Sequence, residues 1–284
     1  MSREITSIAI VGGGFMGTGI AETAAVAGFP VVVDELPECL DAARQRLEAS
    51  MGRMVKRGKL DPAHRDAALA RITLTSELKD VAGADLVIEA VPENVALKIS
   101  IMAALDGIVD DDAIIASNTS SIPIAQLAGP VRNPDRVLGM HFFSPVPVMA
   151  LVEIVRALDT SDETVNEARA FTERLGKQAI ETKDRSGFIV NFLLIPYLMA
   201  AVRMYEEDFA SREDIDAGMR LGAGHPMGPL TLCDFIGLDV LHAVCNSMYE
   251  EFKRGEYAPP PVMKRMIAAG RLGRKSGRGF YDYP

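Results

Sequence analysis

The residues best suited to acid–base chemistry stand near the middle of the chain. His141 lies in the run GMHFFSPVP at 139–147, and Glu153 lies in the next extended run, LVEIV at 151–155. An imidazole can take up and return a proton near neutral pH. A carboxylate on its other ring nitrogen fixes the tautomer and supports the imidazolium formed when the proton is taken. A lone histidine is more often a satisfied structural residue. Here a turn containing Pro145 and Pro147 can fold the second run back beside the first, so that strand pairing brings the carboxylate onto the imidazole. The end of a strand in an open α/β sheet is also where ligands bind.

A second constellation opens the chain. Gly12-Gly13-Gly14-Phe15-Met16-Gly17 fits G-x-G-x-x-G, with the strand-like IAIV before it and an Ala-rich helical run after it. The first glycine permits the tight turn, the second lets backbone N–H groups approach a pyrophosphate, and the third lets helix pack on strand. The pyrophosphate of a dinucleotide would rest at the positive end of the helix. About 20 residues on, an acid should accept from the adenine ribose hydroxyls. Asp34 and Glu35 both stand there, and neighbouring strand residues point to opposite faces, so only one can do so. A carboxylate in that place repels the extra phosphate of NADP, and no arginine follows directly to hold one, which favours NAD.

These residues require a particular scaffold. Ile5–Val11, Val31–Asp34, Leu86–Glu89, Ile114–Ser117, Val137–His141 and Leu151–Val155 read as strands; Met16–Ala27, Pro37–Gly58, Pro62–Arg71 and Val95–Ile108 read as helices between them. Apolar strands alternating with helices predict an α/β fold, a Rossmann-type doubly wound parallel sheet with helices on both faces. From Phe188 onward the pattern is helical, with Ser211 and Asp214 forming a helix start signal. The reading is therefore two domains: a dinucleotide-binding one over 1–184 and a smaller all-helical one over 185–284.

Composition narrows the class. The chain is 48% hydrophobic and 24% charged, as soluble globular proteins are. A net charge of −9 argues against a nucleic-acid partner. Cys39, Cys233 and Cys245 are odd in number and none has metal-ligand spacing from another, so the expectation is reduced thiols, no metal and a cytoplasmic setting. No secretory leader is visible, and the apolar stretch Gly187–Val202 is short for a membrane span and holds Asn191 and Pro196.

Longer motifs carry a resemblance. VGGGFMGTGIA, LVIEAVPEN, ASNTSSIPI, RVLGMHFFSPVPVMALVEIV, GFIVN, EDIDAGMRLGAGHPMGPLTLCDFIGLD and GRKSGRGFY together cover nearly the whole length. In these the chain resembles the short-chain L-3-hydroxyacyl-CoA dehydrogenases, closest to the stand-alone bacterial members that act on 3-hydroxybutyryl-CoA. The resemblance implies NAD as cofactor, an acyl-CoA thioester as substrate, and a homodimer formed through the helical domain. It implies His141 as general base with Glu153 as its acidic partner. Ser120 would hydrogen-bond the reacting oxygen while touching cofactor and substrate, and Asn191 would come from the helical domain. Gly12 to Gly17, Glu35, Glu93, Lys98, Asn118, Ser144 and Lys275 would line the cofactor, and Ser50 and Arg57 the coenzyme A.

Two points qualify the match. The family usually reads HFFNP where this chain has Ser144, a shorter side chain with one hydroxyl in place of an amide. The run Arg53, Lys56, Arg57, Lys59 has no acid within it and suits nucleotide phosphates as well as a solvated helix face. A dehydrogenase of sugar acids such as gulonate shares several motifs, and a non-catalytic NAD-binding protein could share the scaffold. The basic helix and GHPMGP favour the thioester, and the presence of His141, Glu153, Ser120 and Asn191 favours catalysis. Beginning almost at the first strand and ending soon after GRGFY, the sequence reads as a separate enzyme without a fused hydratase.

Overall fold

Short β-branched runs become four-residue strands where neighbours cover both faces. In the computed structural model, which describes residues Glu4–Pro284, β1 (Ile8–Val11) is buried throughout. It lies between β2 (Val31–Asp34) and β4 (Leu86–Glu89), parallel to both. β5 (Ile114–Ser117) and β6 (Val137–Phe142) continue the sheet in parallel. β7 (Leu151–Arg156) then runs antiparallel to β6, with His141 opposite Glu153. With β3 (Ile72–Thr75) and β8 (Gln178–Lys183) at the edges, eight strands follow in the order β3-β2-β1-β4-β5-β6-β7-β8. The order reverses between β1 and β4, which opens the crevice where α/β sheets bind ligands.

Several elements of the first unit lie outside the sequence reading, among them two strands and the helices α5 (Ile124–Ala128) and α6 (Asp162–Arg174). The strands are the edge pair β3 and β8, both half-exposed; β3 alternates apolar residues with threonine, and β8 is mostly polar. Edge strands carry charge and lack a continuous apolar run, so their signal is weak. Helix α6 (Asp162–Arg174) follows β7 and is capped by Ser161, whose hydroxyl accepts from Thr164 N. The first strand begins at Ile8 and not at Ile5 because Asp85 takes over the residues before it. Its Oδ2 accepts from Thr6 N at 2.8 Å, Thr6 Oγ1 at 2.7 Å and Ser7 N at 2.8 Å. With those bonds its carboxyl is held down at about 2.

The helices that matter for the site are α1 (Phe15–Val26), α2 (Leu40–Lys56), α3 (Pro62–Ala70), α4 (Val95–Asp106) and α5 (Ile124–Ala128). Ile8, Ile10, Ile20, Val31, Val33, Leu47 and Met51 form one core between sheet and helices, each at most 3% exposed. Burying each such side chain contributes about 1.5–3 kcal/mol, which holds the strand ends still. Asp184 accepts from Ile124 N and Ala125 N, tying the end of this unit to the start of α5.

The chain divides into two compact units, the first ending at Asp184 and the second running from Arg185 to Pro284. The second unit is helical: α7 (Val190–Glu206), α8 (Arg212–Ala217), α9 (Pro229–Ile236), α10 (Leu238–Phe252) and α11 (Pro261–Ala268). Leu198, Met199, Val202, Leu230, Leu241, Cys245 and Met263 fill its core. Two buried carboxylates fix its loops. Asp216 accepts from Leu230 N and Thr231 N at the start of α9, and Asp234 holds the C-terminal tail through Phe280 N and Tyr281 N. Ser211 caps α8 and its hydroxyl also donates to Asp214 Oδ2 at 2.6 Å. Among the described residues no single helix is long and apolar enough to cross a membrane.

Candidate functional site

β1 ends into Gly12, whose φ of +103° is open only to glycine without strain. A Cβ there would lie 2.9 Å from the backbone of Ala90, the residue that follows β4. Gly17 is barred from a side chain by the carbonyl of Gly12, while the Cβ position of Gly14 faces open space. The turn is thus packed tightly on the protein side and bare on the other. Helix α1 starts at Phe15 with Gly14 as N-cap, no capping side chain and no acid in its first turn. Its leading amides and its dipole are left for an anion. This cradle fits the pyrophosphate of NAD.

Beside the cradle, Glu35 lies on the loop side of β2: its Cβ and Cγ are 3.3 Å and 3.4 Å from where a Gly13 Cβ would be. Its Oε1 accepts from Leu36 N at 2.8 Å. Asp34 lies among acids instead. Burial first, then Glu35, Asp80 and Glu77, push its carboxyl up to about 6. Arg46 of α2, absent from the sequence candidates, donates to Gly13 O at 3.2 Å. No motif pointed to it; only the packing of α2 over the turn does.

Further along the sheet, His141 and Glu153 meet across the β6–β7 pair. Nδ1 of His141 lies 2.7 Å from Glu153 Oε2, with side-chain exposures of 5% and 0%. A carboxylate only accepts, so Nδ1 carries the hydrogen and Nε2 presents its lone pair on the side of Ser120. Ser120 Oγ stands 3.1 Å from Nε2. Phe143 packs on the imidazole at 4.5 Å between ring centroids. The result is a buried base held by Glu153 on Nδ1 and facing the Ser120 hydroxyl with Nε2, a geometry able to remove a proton from a hydroxyl.

The turn that carries Ser120 is held by a second buried network. Lys98 of α4 is 1% exposed and donates to Glu89 Oε1 at 2.7 Å, Glu89 Oε2 at 3.0 Å and Val91 O at 3.1 Å. Ser117 Oγ donates to Glu89 Oε2 at 2.6 Å. Glu93 Oε1 accepts from Thr119 Oγ1, Ser120 N, Ser121 N and Ser121 Oγ. Glu89 was not a sequence candidate. An acid ending an otherwise apolar strand, with a lysine on the following helix, was the available signal. Asn118 is buried, and its Oδ1 accepts from Phe142 N at 2.9 Å, tying β5 to β6.

The remaining candidates fall elsewhere. Ser144 is exposed just past β6, ahead of a cis peptide bond to Pro145. Ser50 bonds Glu22, a carboxyl that burial raises above its usual range. Arg57 is exposed at the C-cap of α2, with Arg53, Lys56 and Lys59 exposed around it, cations at the negative end of the helix. Asn191 and Lys275 belong to the second unit. Asn191 is the second residue of α7, and Lys275 Nζ donates to Asp239 Oδ2 at 2.7 Å.

The pattern that defines the 3-hydroxyacyl-CoA dehydrogenase NAD binding domain matches residues 7–185, and that of the 3-hydroxyacyl-CoA dehydrogenase C-terminal domain matches 187–283. A 3-hydroxybutyryl-CoA dehydrogenase of Mycobacterium tuberculosis is 50% identical over 286 residues, covering 100% of each chain. The crystal structure of M. tuberculosis FadB2 has a TM-score of 0.98 at 49% identity, over 99% of this chain and 100% of that one. That of the (S)-3-hydroxybutyryl-CoA dehydrogenase PaaH1 from Ralstonia eutropha has a TM-score of 0.93 at 46% identity, over the same shares. The chain belongs to the NAD-dependent 3-hydroxyacyl-CoA dehydrogenase family.

Proposed function

We propose that this protein interconverts (S)-3-hydroxyacyl-CoA and 3-ketoacyl-CoA thioesters of short chain, such as 3-hydroxybutyryl-CoA, with His141 as the proton acceptor. The observation that carries the reading is the line Ser120 Oγ, His141 and Glu153, with spacings of 3.1 Å and 2.7 Å, in the same sheet as the glycine cradle. NAD, when bound, supplies the acceptor for the hydride lost from C3. Gly12 to Gly17 and the first turn of α1 would hold its pyrophosphate, and Glu35 its adenine ribose. Nε2 of His141 removes the proton of the 3-hydroxyl, displacing the hydrogen bond from Ser120. Glu153 stabilises the imidazolium so formed, and Ser120 stays within reach of the reacting oxygen. Asn191, in GFIVN of the helical unit, keeps the role that the resemblance implies for it.

The exposed run Arg53, Lys56, Arg57 and Lys59 suits the nucleotide phosphates of coenzyme A, and Ser50 sits one helical turn or so before it. The helical unit exposes Leu193 at 68%, Phe235 at 45% and Val240 at 48%, apolar surface that fits a homodimer; a monomer in sedimentation velocity would refute that part.

Initial rates separate this reading from its rivals. Acetoacetyl-CoA should be reduced with NADH far faster than with NADPH, and free hydroxy acids such as gulonate should not be oxidised. Arg57→Ala should raise KM for acetoacetyl-CoA and leave kcat alone. Turnover on sugar acids but not thioesters would overturn the reading.

A further inference from the structure

Glu93 and Lys98 come from the motif PENVALK, whose resemblance places them against the cofactor. The ammonium of Lys98 has three N–H donors. Glu89 Oε1, Glu89 Oε2 and Val91 O lie 2.7 Å, 3.0 Å and 3.1 Å away, which accounts for the donors inside the protein. Glu93 reaches on to the turn after β5. Its Oε1 gathers Thr119 Oγ1 at 2.6 Å, Ser120 N at 3.0 Å, and Ser121 N and Oγ at 3.2 Å each. Its Oε2 stands 3.4 Å from Lys98 Nζ. One carboxylate therefore holds three consecutive residues of the turn after β5, and the middle one presents its hydroxyl to His141 Nε2.

Bonds from backbone N–H and hydroxyl groups to an ionised carboxylate are roughly twice as strong as neutral ones. Four of them converging on one oxygen fix a turn that otherwise follows a strand end without helix or ladder. A displacement on the order of 1 Å at a reacting group can cost about 100-fold in rate. From this geometry we infer that Glu93 is a positioning residue for the reaction: it clamps the turn 119–121 so that Ser120 Oγ stays on His141. Lys98, pinned by Glu89, holds the clamp in register. The inference rests on the roles given above to Ser120 and His141.

The test is a double-mutant cycle read by two measurements: NADH affinity from fluorescence titration, and kcat against KM with acetoacetyl-CoA. Glu93→Ala should lower kcat by roughly 10- to 100-fold while the NADH Kd stays within about twofold. On a Ser120→Ala background the same change should have little further effect, because the group it positions is gone. Glu93→Gln keeps an acceptor oxygen and should recover most of the rate. Thr119→Val removes one donor to Glu93, and the acceptor of Ser121 N and Ile122 N with it, without cutting the side chain back. It should give a smaller fall in kcat with NADH affinity again unchanged, and this variant decides the matter should Glu93→Ala fail to fold. A tenfold weaker NADH Kd with kcat preserved would overturn the inference in favour of a cofactor contact. Multiplicative losses in Glu93→Ala/Ser120→Ala would also overturn it. Normal turnover in Ser120→Ala alone would instead remove the role of Ser120 on which the inference stands.

Discussion

Among the buried acid–base pairs of the first unit, two look alike until their outer sides are compared. Glu153 with His141 and Glu89 with Lys98 each meet at 2.7 Å, with both acids 0% exposed and both bases 5% or less. Each pair also has a serine attached, Ser120 on His141 and Ser117 on Glu89. The lysine, however, directs its N–H groups back to the carboxylate and a carbonyl. The imidazole has a second nitrogen, and the register of β6 on β7 leaves that nitrogen pointing away from Glu153. Burial plus an ion pair therefore does not identify a reactive base. What differs is the nitrogen that Glu153 does not engage, which faces the hydroxyl of Ser120.

Breaking the histidine pair should act on rate. His141→Gln should lower turnover by roughly 10²–10⁴-fold with NADH affinity kept, as expected for loss of a general base. Glu153→Gln preserves the shape but removes the charge that supports the imidazolium, and a loss of roughly 10²-fold is expected. Steady-state kinetics beside NADH titration reads both. Near-normal turnover in either would place the proton acceptor elsewhere.

Breaking the lysine pair should act first on stability. Glu89→Gln removes the nearer counter-charge of a buried ammonium and leaves it only Glu93 at 3.4 Å, a change that costs about 3 kcal/mol and should lower Tm by roughly ten degrees. Removing both charges with Glu89→Leu and Lys98→Met should regain much of that stability, since paired buried charges contribute little net. Calorimetry on the two variants separates the cases. An equal loss in single and double variants would mean that the pair is worth more than its packing.

The sequence made the histidine pair legible and left the lysine pair hidden, for a physical reason. His141 and Glu153 sit on consecutive strands joined by one turn, so a register argument reaches both. Leu86–Glu89 and Ile114–Ser117 are readable to the residue because fully covered strands need unbroken apolar or β-branched runs, and Val31–Asp34, buried on alternate residues, carries such a run too. The edge strands β3 and β8 lacked that run, and Asp85 shortened β1 by drawing Thr6 and Ser7 out of the ladder. Glu89, Arg46 and the clamp at Glu93 depend on side chains converging from β4, α2, α4 and the turn after β5. Spacing along the chain does not encode such meetings. Resemblance named Glu93 and Lys98 but not what they touch.

A third carboxylate tests the comparison from the opposite side, because it lacks a cation of the kind the other two have. Asp34 faces Glu35, Asp80 and Glu77, and burial with those neighbours raises it from 3.8 to about 6. A raised acid binds its proton more tightly folded than unfolded, so folding is favoured by protonation. Its unfavourable contribution is absent below pH 3.8, grows as pH rises toward about 6, and is full above that. Asp34→Asn removes the charge without the bulk. It should raise Tm modestly at pH 8 and leave it unchanged near pH 4, a smaller effect than either pair gives because the group is half in solvent. Equal shifts at the two pH values would mean that the asparagine acts through packing, and that the crowding of acids beside the ribose end of the sheet carries no electrostatic cost.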